Sequence, residues 1–290
     1  MALLFGGCEL FTDETGFAPE YVVESYQVVG EPLQSIRLSR TASVDDTYDF
    51  TALAVRDADV RVELLAEGGG VEAAFPYAED PNRLGVYLSA DTQATLLPLR
   101  TYRMTAELSG GDVLTAETLT PGDVQLENAT LDTLVYQSDN QLELTALLPA
   151  YPSRQNIFIF TAEALGVIDE DRLVPFAAAV LDDDDELENL RIADSPPINE
   201  SNYDVDPDGR ITIAVPWLIF TFYGDNRLAA SALDDNLFDF IRSQSIQEGG
   251  SGLSPGEITN IVDYVEGGTG VFGSLARFTH DVHLLPRVEE

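Results

Sequence analysis

The sequence contains no lysine, a single cysteine and only two histidines among its 290 residues. One cysteine excludes an internal disulfide, so the folded chain depends on its hydrophobic core alone. All 15 basic residues are arginine and 51 residues are acidic, which gives a formal net charge of −36. A surface this negative argues against binding to nucleic acid, or to anionic lipid, through a basic patch.

The sequence also lacks a long hydrophobic run. Its longest apolar stretch after residue 8 lies at 211–223, where Pro216 interrupts it, and this is shorter than the ~18 residues that a membrane-spanning helix needs. With 44% hydrophobic and only 23% charged residues, the composition is nevertheless that of a folded protein. We therefore expect one or two globular domains without a membrane-spanning segment.

An acidic excess combined with the loss of lysine is typical of adaptation to high salt. Carboxylates are compact and well hydrated, whereas long lysine stems add apolar surface that concentrated salt drives together. The Debye length is ~8 Å at physiological ionic strength and shorter in brine, so salt screens repulsion between the carboxylates. The alternative is a moderately acidic extracellular protein from an organism that uses little lysine.

The single cysteine, Cys8, ends the N-terminal sequence MALLFGGC. An apolar run, two small residues and then cysteine are typical of the end of a bacterial lipoprotein signal, whose cysteine becomes the lipid-carrying N-terminus. Only seven residues precede Cys8, none of them basic, and Phe5 stands where Leu, Val or Ile is favoured. We predict lipidation of Cys8 from a start codon further upstream. An ordinary apolar N-terminus with a buried thiol is the alternative.

The first half of the sequence has the pattern of short β-strands separated by turns. The strand segments alternate in polarity or are rich in β-branched and aromatic residues, and they lie at 21–29, 35–40, 58–66, 85–90, 101–108 and 113–119. Turns containing Gly or Pro separate them, and Thr120-Pro121-Gly122 follows the last one. This spacing predicts an immunoglobulin-like β-sandwich over 9–121, preceded by a signal remnant at 1–8.

The second half, 122–290, is predicted to be a second β-rich domain with one or two short helices. Strands are expected at 133–137, 141–149, 156–165 and 210–223. The segment 232–247 predicts a helix, because its apolar residues fall on one stripe. For 255–265, a capping-box pattern favours a helix, whereas β-branched residues favour a strand. The acidic run at 181–189 is expected to be a solvated loop.

Three aspartates resemble the start of an EF-hand calcium loop: Asp204, Asp206 and Asp208. Carboxylates at loop positions 1, 3 and 5, and the backbone carbonyl of Arg210 at position 7, are the oxygen ligands that Ca²⁺ needs. Val215 occupies position 12, where a bidentate acid is expected. The pattern therefore predicts either a calcium site or an ordinary hairpin turn. Calcium is the one candidate cofactor.

A glycine-rich run near the C-terminus contains Gly267, Gly268, Gly270 and Gly273. The last three fit G-x-G-x-x-G, the dinucleotide-binding fingerprint, but too few residues follow to complete a βαβ unit. Glycines that permit positive φ and close backbone approach around a buried Phe272 are the alternative. We therefore expect this run to be structural.

The remaining candidates for catalytic chemistry are sparse. His280 and His283 are three residues apart, so on a strand they face opposite sides and do not share a metal. The sequence has no G-x-S-x-G motif, which leaves triad chemistry without support. Trp217 lies among apolar residues and is expected in the core. Acidic residues are too numerous to single out a hydrolytic carboxylate pair. We do not expect an enzyme.

Several segments together resemble one protein family. They are YVVESYQVVGEPLQSIRLSRT near the start, ADVRVELL, GVYLSA and TYRMTAEL in the first half, and VEGGTGVFGSLAR at 265–277. They are similar to the family called domain of unknown function 4249, which consists of outer-membrane-associated lipoproteins with the lipidated cysteine just before the first strand. Cys8 stands at that place here. The first half also resembles the carboxypeptidase-regulatory type of sandwich.

The resemblance implies a location and a class of partner. Family members are often encoded beside TonB-dependent outer-membrane receptors. This implies a non-enzymatic accessory or binding partner of an outer-membrane transporter or another envelope protein, attached to the outer membrane by its lipid alone. Two other classes stay open: a calcium-binding adhesive or envelope-matrix module, and a secreted hydrolase with a carboxylate site.

Overall fold

The computed structural model describes residues 17–43, 45–152, 154–181, 186–247 and 262–287. Cys8, the candidate lipidation site, lies outside the described residues. So does most of the segment 255–265, namely 255–261, whereas its last residue, Val265, begins a short strand. None of the helices in the described part of the chain has the length and hydrophobicity of a membrane-spanning segment.

Seven strands in the described part of the N-terminal half follow the alternation of the sequence. They are β1 (Tyr21–Val28), β2 (Ile36–Arg40), β3 (Asp59–Leu65), β4 (Val71–Glu79), β5 (Val86–Ser89), β6 (Thr101–Glu107) and β7 (Val113–Leu119). In β3, for example, Val60, Val62 and Leu64 point into the core while the residues between them are more exposed. One helical turn, α1 (Phe50–Leu53), lies between β2 and β3. The six predicted strands of this half are confirmed, and β4 is an additional one.

The described part of the C-terminal half contains ten further strands and two further helices. The strands are β8 (Gln125–Ala129), β9 (Thr133–Val135), β10 (Glu143–Leu147), β11 (Ile157–Ala164), β12 (Ile192–Asp194), β13 (Ile198–Asn199), β14 (Arg210–Ala214), β15 (Gly224–Leu233), β16 (Val265–Glu266) and β17 (Thr269–Leu285). The helices are α2 (Pro175–Val180) and α3 (Asp235–Gln247). The mainly β class with a few short helices is thereby confirmed.

Three segments of the second half differ in kind from the sequence expectations. The strand predicted at 210–223 ends at Ala214, because Pro216 has no N–H to continue a ladder and a 3₁₀ turn, Trp217–Ile219, follows it. The helix predicted at 232–247 begins at Asp235, since the preceding residues belong to β15. Part of the acidic run expected as a loop forms another 3₁₀ turn, Leu187–Leu190.

The strands form one large sheet and one small sheet. The large sheet has the order β12-β11-β15-β17-β1-β2-β5-β4-β3-β6-β7-β16, with β13 also paired to β11 and β9 to β17. The small sheet has the order β14-β10-β8. Neighbouring strands are antiparallel except that β17 runs parallel to both β1 and β9. The hydrophobic core that the sheets enclose includes residues from both halves of the chain.

The large sheet folds back on itself at the glycine run. β16 pairs with β7 at one end of the strand order, while β17, which follows directly in the chain, pairs with β1. Gly267 and Gly268 make this link. A Cβ on Gly267 (φ +84°) would lie 2.3 Å from the carbonyl oxygen of Val113, and one on Gly268 would lie 2.6 Å from that of Tyr21. The link brings two layers of strands face to face, as in a β-sandwich.

The rest of the glycine run lies inside β17. A Cβ on Gly270 would lie 2.1 Å from the carbonyl oxygen of Val23 on β1, and one on Gly273 would lie 2.5 Å from Leu237 of α3. Phe272 between them is 1% exposed. These glycines therefore allow close approach of a strand and a helix, in a strand rather than in the strand-to-helix turn that a dinucleotide site uses.

The division predicted at residue 121 falls where the chain leaves the large sheet for the small one. β7 ends at Leu119, and β8 of the small sheet begins at Gln125. β17 then returns from the C-terminus to pair with β1 along most of its length. The assignment of 9–121 and 122–290 as separate domains stays a prediction.

Candidate functional site

An apolar cleft lies between the small sheet and the β12 edge of the large sheet. Its volume is about 380 Å³, within the ~300–1,000 Å³ of cavities that bind small molecules. β14 and the turn after it supply one wall, and β11 and β15 supply the other. The loop after β12 and the segment around Tyr203 close the rim.

The wall from the small sheet is formed where β14 ends. Ile213 and Val215 are buried, and the backbone N–H of Val215 donates a hydrogen bond to the carbonyl of Leu142 at 2.9 Å. Pro216 then turns the chain, and the 3₁₀ turn after it places Leu218 at the mouth of the cleft. Leu218 is 63% exposed. A large apolar side chain is therefore exposed to solvent beside an apolar cavity.

The wall from the large sheet contains an aromatic group. Phe160 of β11 lines the cleft together with Leu228 of β15. The ring of Phe160 stacks on that of Phe158, with centroids 6.2 Å apart, and meets Tyr203 edge-on at 6.3 Å. Such contacts fix the position of the rings. The wall is therefore preformed.

Three lining residues are polar, and two of them are engaged within the protein. Asp194 accepts a hydrogen bond from the hydroxyl of Thr161 at 2.5 Å. The hydroxyl of Ser195 accepts one from the backbone N–H of Phe160 at 3.0 Å and donates one to the carbonyl of Pro196 at 2.9 Å. These bonds hold the rim to β11.

Tyr203 is the third polar lining residue and differs from the other two. Burial raises the pKa of its phenol, so it stays a neutral hydrogen-bond donor. Its hydroxyl makes no hydrogen bond to another described residue and is open to solvent, since the one buried side-chain atom without a partner among the described residues is the hydroxyl of Tyr136. No basic side chain lines the cleft. The cleft therefore offers apolar walls and one free polar group.

A second, polar hollow of about 680 Å³ lies on the opposite face of β11, β15 and β17. Arg227 pairs with Asp281 at 2.9 Å, and Arg277 pairs with Glu31 at 2.8 Å. Because its arginines are already paired with carboxylates of the same chain, the hollow is a solvated, self-paired surface.

The candidate calcium residues form a hairpin turn. Asp206 accepts hydrogen bonds from the backbone N–H groups of Arg210 (2.8 Å) and Asp208 (2.9 Å), which lowers the pKa of its carboxyl. The guanidinium of Arg210 bonds to Asp208 at 2.6 Å and also to Glu127. Asp204 precedes the turn. Nowhere in the described ranges do three or more acidic, histidine or cysteine side chains converge as metal ligands, and calcium stays a prediction.

The two histidines lie on opposite faces of β17. The ring of His280 contacts the carbonyl oxygen of Leu131 at 3.1 Å, on the more buried face. His283 contacts Asp225 at 2.6 Å on the exposed face. They do not converge on one site. Trp217 is half-buried against the core, where its ring meets that of Tyr136 edge-on.

A buried carboxylate that the sequence analysis did not single out lies at the start of α3. Asp234 is 1% exposed and accepts hydrogen bonds from the backbone N–H groups of Leu237 (2.8 Å) and Ser274 (2.9 Å) and from the hydroxyl of Thr118. Burial raises its pKa to about 7. An Asp just before an amphipathic helix is an N-cap signal that could have identified it. It joins α3 to β7 and β17, away from the cleft.

Comparison with known proteins identifies the family. The sequence matches the model of the family described as Domain of unknown function (DUF4249) over residues 9–280. No curated protein matches it.

Two solved structures are similar to parts of the chain. One is a tetra-tandem repeat in the extending region of a large adhesion protein, with 11% identity, 75% of this chain and 46% of that chain covered, and a TM-score of 0.20. This chain thus spans less than half the length of that structure. The other comprises three N-terminal domains of the bacteriophage RB49 highly immunogenic outer capsid protein, with 8% identity, 93% and 71% covered, and a TM-score of 0.23. On the match over 9–280, the chain belongs to the DUF4249 family.

Proposed function

We propose that the protein is a lipid-anchored, non-enzymatic binding protein of the outer membrane and an accessory partner of a TonB-dependent transporter. The observation that carries the proposal is the chemistry of the cleft. Its one carboxylate, Asp194, is held by Thr161, and the lining includes no histidine, cysteine or basic residue. Nucleophilic and acid–base catalysis need a reactive group beside a base or acid. The apolar lining favours recognition instead.

The position of Cys8 supports the lipid anchor. The family match begins at residue 9, directly after this cysteine, and the first strand begins at Tyr21. The intervening residues 9–20 can span at most ~40 Å when fully extended. A lipid on Cys8 would therefore hold the folded body, with its cleft, close to the membrane surface and to a transporter embedded in it.

The charge distribution supports adaptation to high salt. With a net charge of −36, most carboxylates have no basic partner in the chain. Some arginines instead contact two carboxylates each, as Arg61 does with Glu63 and Glu107. We expect the urea midpoint of unfolding to rise between 0.1 and 3 M NaCl, because salt screens the remaining repulsion and strengthens apolar burial. A flat or falling midpoint would reject this part of the proposal.

The anchor and the partner are tested together in the native host. The gene, tagged at its 3′ end at its own locus, is expressed as wild type and as Cys8→Ser during growth with an alkyne-labelled fatty acid. We expect label and membrane retention in the wild type only, and cross-linked capture of an outer-membrane β-barrel transporter. Equal labelling of both proteins would reject the anchor. Membrane retention without a barrel in the captured material would reject the accessory role.

A further inference from the structure

We infer that the cleft binds a neutral, largely apolar small molecule that carries one hydrogen-bond acceptor, which the hydroxyl of Tyr203 contacts. This inference rests on the proposed function, because it names the ligand class of the same cleft. Size, charge and hydrogen bonding each contribute to it.

The dimensions of the cleft favour a compact molecule. A volume of about 380 Å³ lies at the lower end of the ~300–1,000 Å³ of small-molecule sites. Ile213, Val215 and Leu228 provide buried apolar walls, and the exposed Leu218 stands at the mouth. A bound apolar molecule would remove both the cavity surface and the side chain of Leu218 from water.

The charges around the cleft exclude an anion and do not provide for a cation. No basic side chain lines it, and the chain as a whole carries a net charge of −36. Asp194 already accepts the hydroxyl of Thr161 at 2.5 Å, on the rim rather than in the apolar walls. Asp194 is the one charged lining residue and lies exposed on the rim, so an ion buried against the apolar walls would have no charged partner beside it and would be costly to bury. The ligand is therefore neutral.

Tyr203 supplies the polar contact. Its ring is fixed by the edge-on contact with Phe160, and burial keeps its hydroxyl protonated. Tyr203 is half-buried and its hydroxyl is open to water, so a ligand acceptor such as a carbonyl oxygen takes the place of water at this donor.

The backbone around the cleft favours a small molecule over an added peptide strand. The N–H of Ser195 donates to the carbonyl of Phe160 at 2.8 Å, and the N–H of Val215 donates to Leu142. A peptide that extends a sheet needs free backbone groups along an edge. These two bordering N–H groups are occupied within the protein, so side-chain surfaces of the cleft dominate recognition.

The test uses two naphthalene probes and a matched pair of variants. Prodan is neutral and carries a carbonyl acceptor, whereas 1-anilinonaphthalene-8-sulfonate is an anion. Ala214→Trp places a large ring on the exposed side of β14 that borders the cleft. Thr212→Trp places the same ring two residues earlier on the same exposed face, outside the cleft lining. Circular dichroism melts of both variants establish that they are folded.

We expect saturable, blue-shifted Prodan emission with the wild type and with Thr212→Trp, and at least tenfold weaker binding with Ala214→Trp. Tyr203→Phe should weaken Prodan binding by about threefold to tenfold, as the loss of one hydrogen bond implies. The sulfonate should bind at least tenfold more weakly than Prodan. Leu218→Ser, at the mouth, is a second variant that should also weaken Prodan binding.

The inference is overturned if Prodan does not bind, if Ala214→Trp binds it as the wild type does, or if the sulfonate binds more tightly. Absent Prodan binding together with loss of transporter capture in Ala214→Trp would instead show that the cleft receives partner side chains. The labelling and capture assays read out the proposed function separately. Their failure with intact Prodan binding rejects the anchor or the partner and leaves the ligand class standing.

Discussion

The apolar cleft and the polar hollow lie on opposite faces of the same two strands, β11 and β15. Phe160 and Leu228 face the cleft, while their neighbours Thr161 and Arg227 face the hollow. Alternation along each strand accounts for this separation, since successive side chains point to opposite sides of a sheet. In the hollow, cross-strand neighbours neutralise each other, as where Arg227 pairs with Asp281.

The two surfaces differ in how much of each is satisfied by contacts within the protein. The two arginines of the hollow have carboxylate partners within the protein, and water solvates the other polar groups. The cleft instead leaves apolar walls and Leu218 in contact with solvent. Concentrated salt makes exposed apolar surface more costly. On the proposed adaptation to high salt, an uncovered apolar cleft is best explained by a ligand that covers it.

The largest expected effect is a loss of folding stability when a buried residue on the cleft face of the sheet is truncated. Leu228 is 3% exposed and packs into the core behind the cleft. Leu228→Ala should lower the free energy of unfolding by ~2–5 kcal/mol, as for other buried leucines. Urea denaturation measures this directly. An unchanged midpoint would show that β15 does not pack as described.

A smaller effect concerns the buried Asp234, whose surroundings contrast with the solvated carboxylates of the hollow. Its folded-state pKa, about 7, lies above the ~3.9 of an unfolded aspartate. The folded state therefore keeps Asp234 protonated to a higher pH than the unfolded state does. The contribution of Asp234 to the free energy of unfolding is full below pH ~4 and is lost as the pH rises to ~7.

The pH effect is isolated by comparing three proteins. Urea unfolding from pH 4 to pH 8 is measured for the wild type, Asp234→Asn and the exposed neighbour Asp235→Asn. The wild type and Asp235→Asn should lose stability in parallel through this range, and Asp234→Asn should lose less. Parallel curves for all three would contradict the raised pKa.

The next effect is smaller and concerns the hollow. Arg227 is exposed and forms a solvated ion pair with Asp281. Because such pairs contribute little, Arg227→Ala should shift the urea midpoint far less than Leu228→Ala, and less again in 1 M NaCl. A shift as large as that of the leucine variant would mean that the hollow is a structural centre rather than a solvated face.

The smallest effect is expected at the Asp206 turn. Of the two alternatives for this segment, the hairpin turn is the one we expect to account for it, because the guanidinium of Arg210 already bonds to Asp208 and Glu127. Isothermal titration with Ca²⁺ should then give no heat. The Asp206→Ala variant is the control. Saturable heat in the parent that this variant abolishes would establish the calcium site.

Local alternation predicted much of the fold. β3, β6 and β7 alternate regularly between turns and were identified nearly to the residue. β4 was not, because it contains Pro76, which is rare within strands. β15 is rich in alanine and β17 contains two glycines, both of which depress strand propensity. The positions of β15 and β17 are set instead by the strands with which they pair, β11 and β1, and by their pairing with each other.

The cleft could not be predicted from the sequence. Phe160, Tyr203 and Ile213 belong to three separate segments, and nothing local to each segment shows that they meet. The parallel pairing of β1 with β17 joins the two ends of the chain and is equally non-local. Tyr203 carries no motif. Its role depends on its place beside Phe160 and on a hydroxyl that bonds to no other described residue.

The most direct test of the cleft as the binding site is a Prodan titration of ¹⁵N-labelled protein followed by amide chemical shifts. The amides of Ala193, Ser195 and Leu218 border the cleft, whereas those of Thr279 and Asp281 border only the hollow. We predict saturable shifts confined to the first group and its neighbours in β14. Shifts centred on Thr279 and Asp281, or none in the first group at saturating Prodan, would contradict the account.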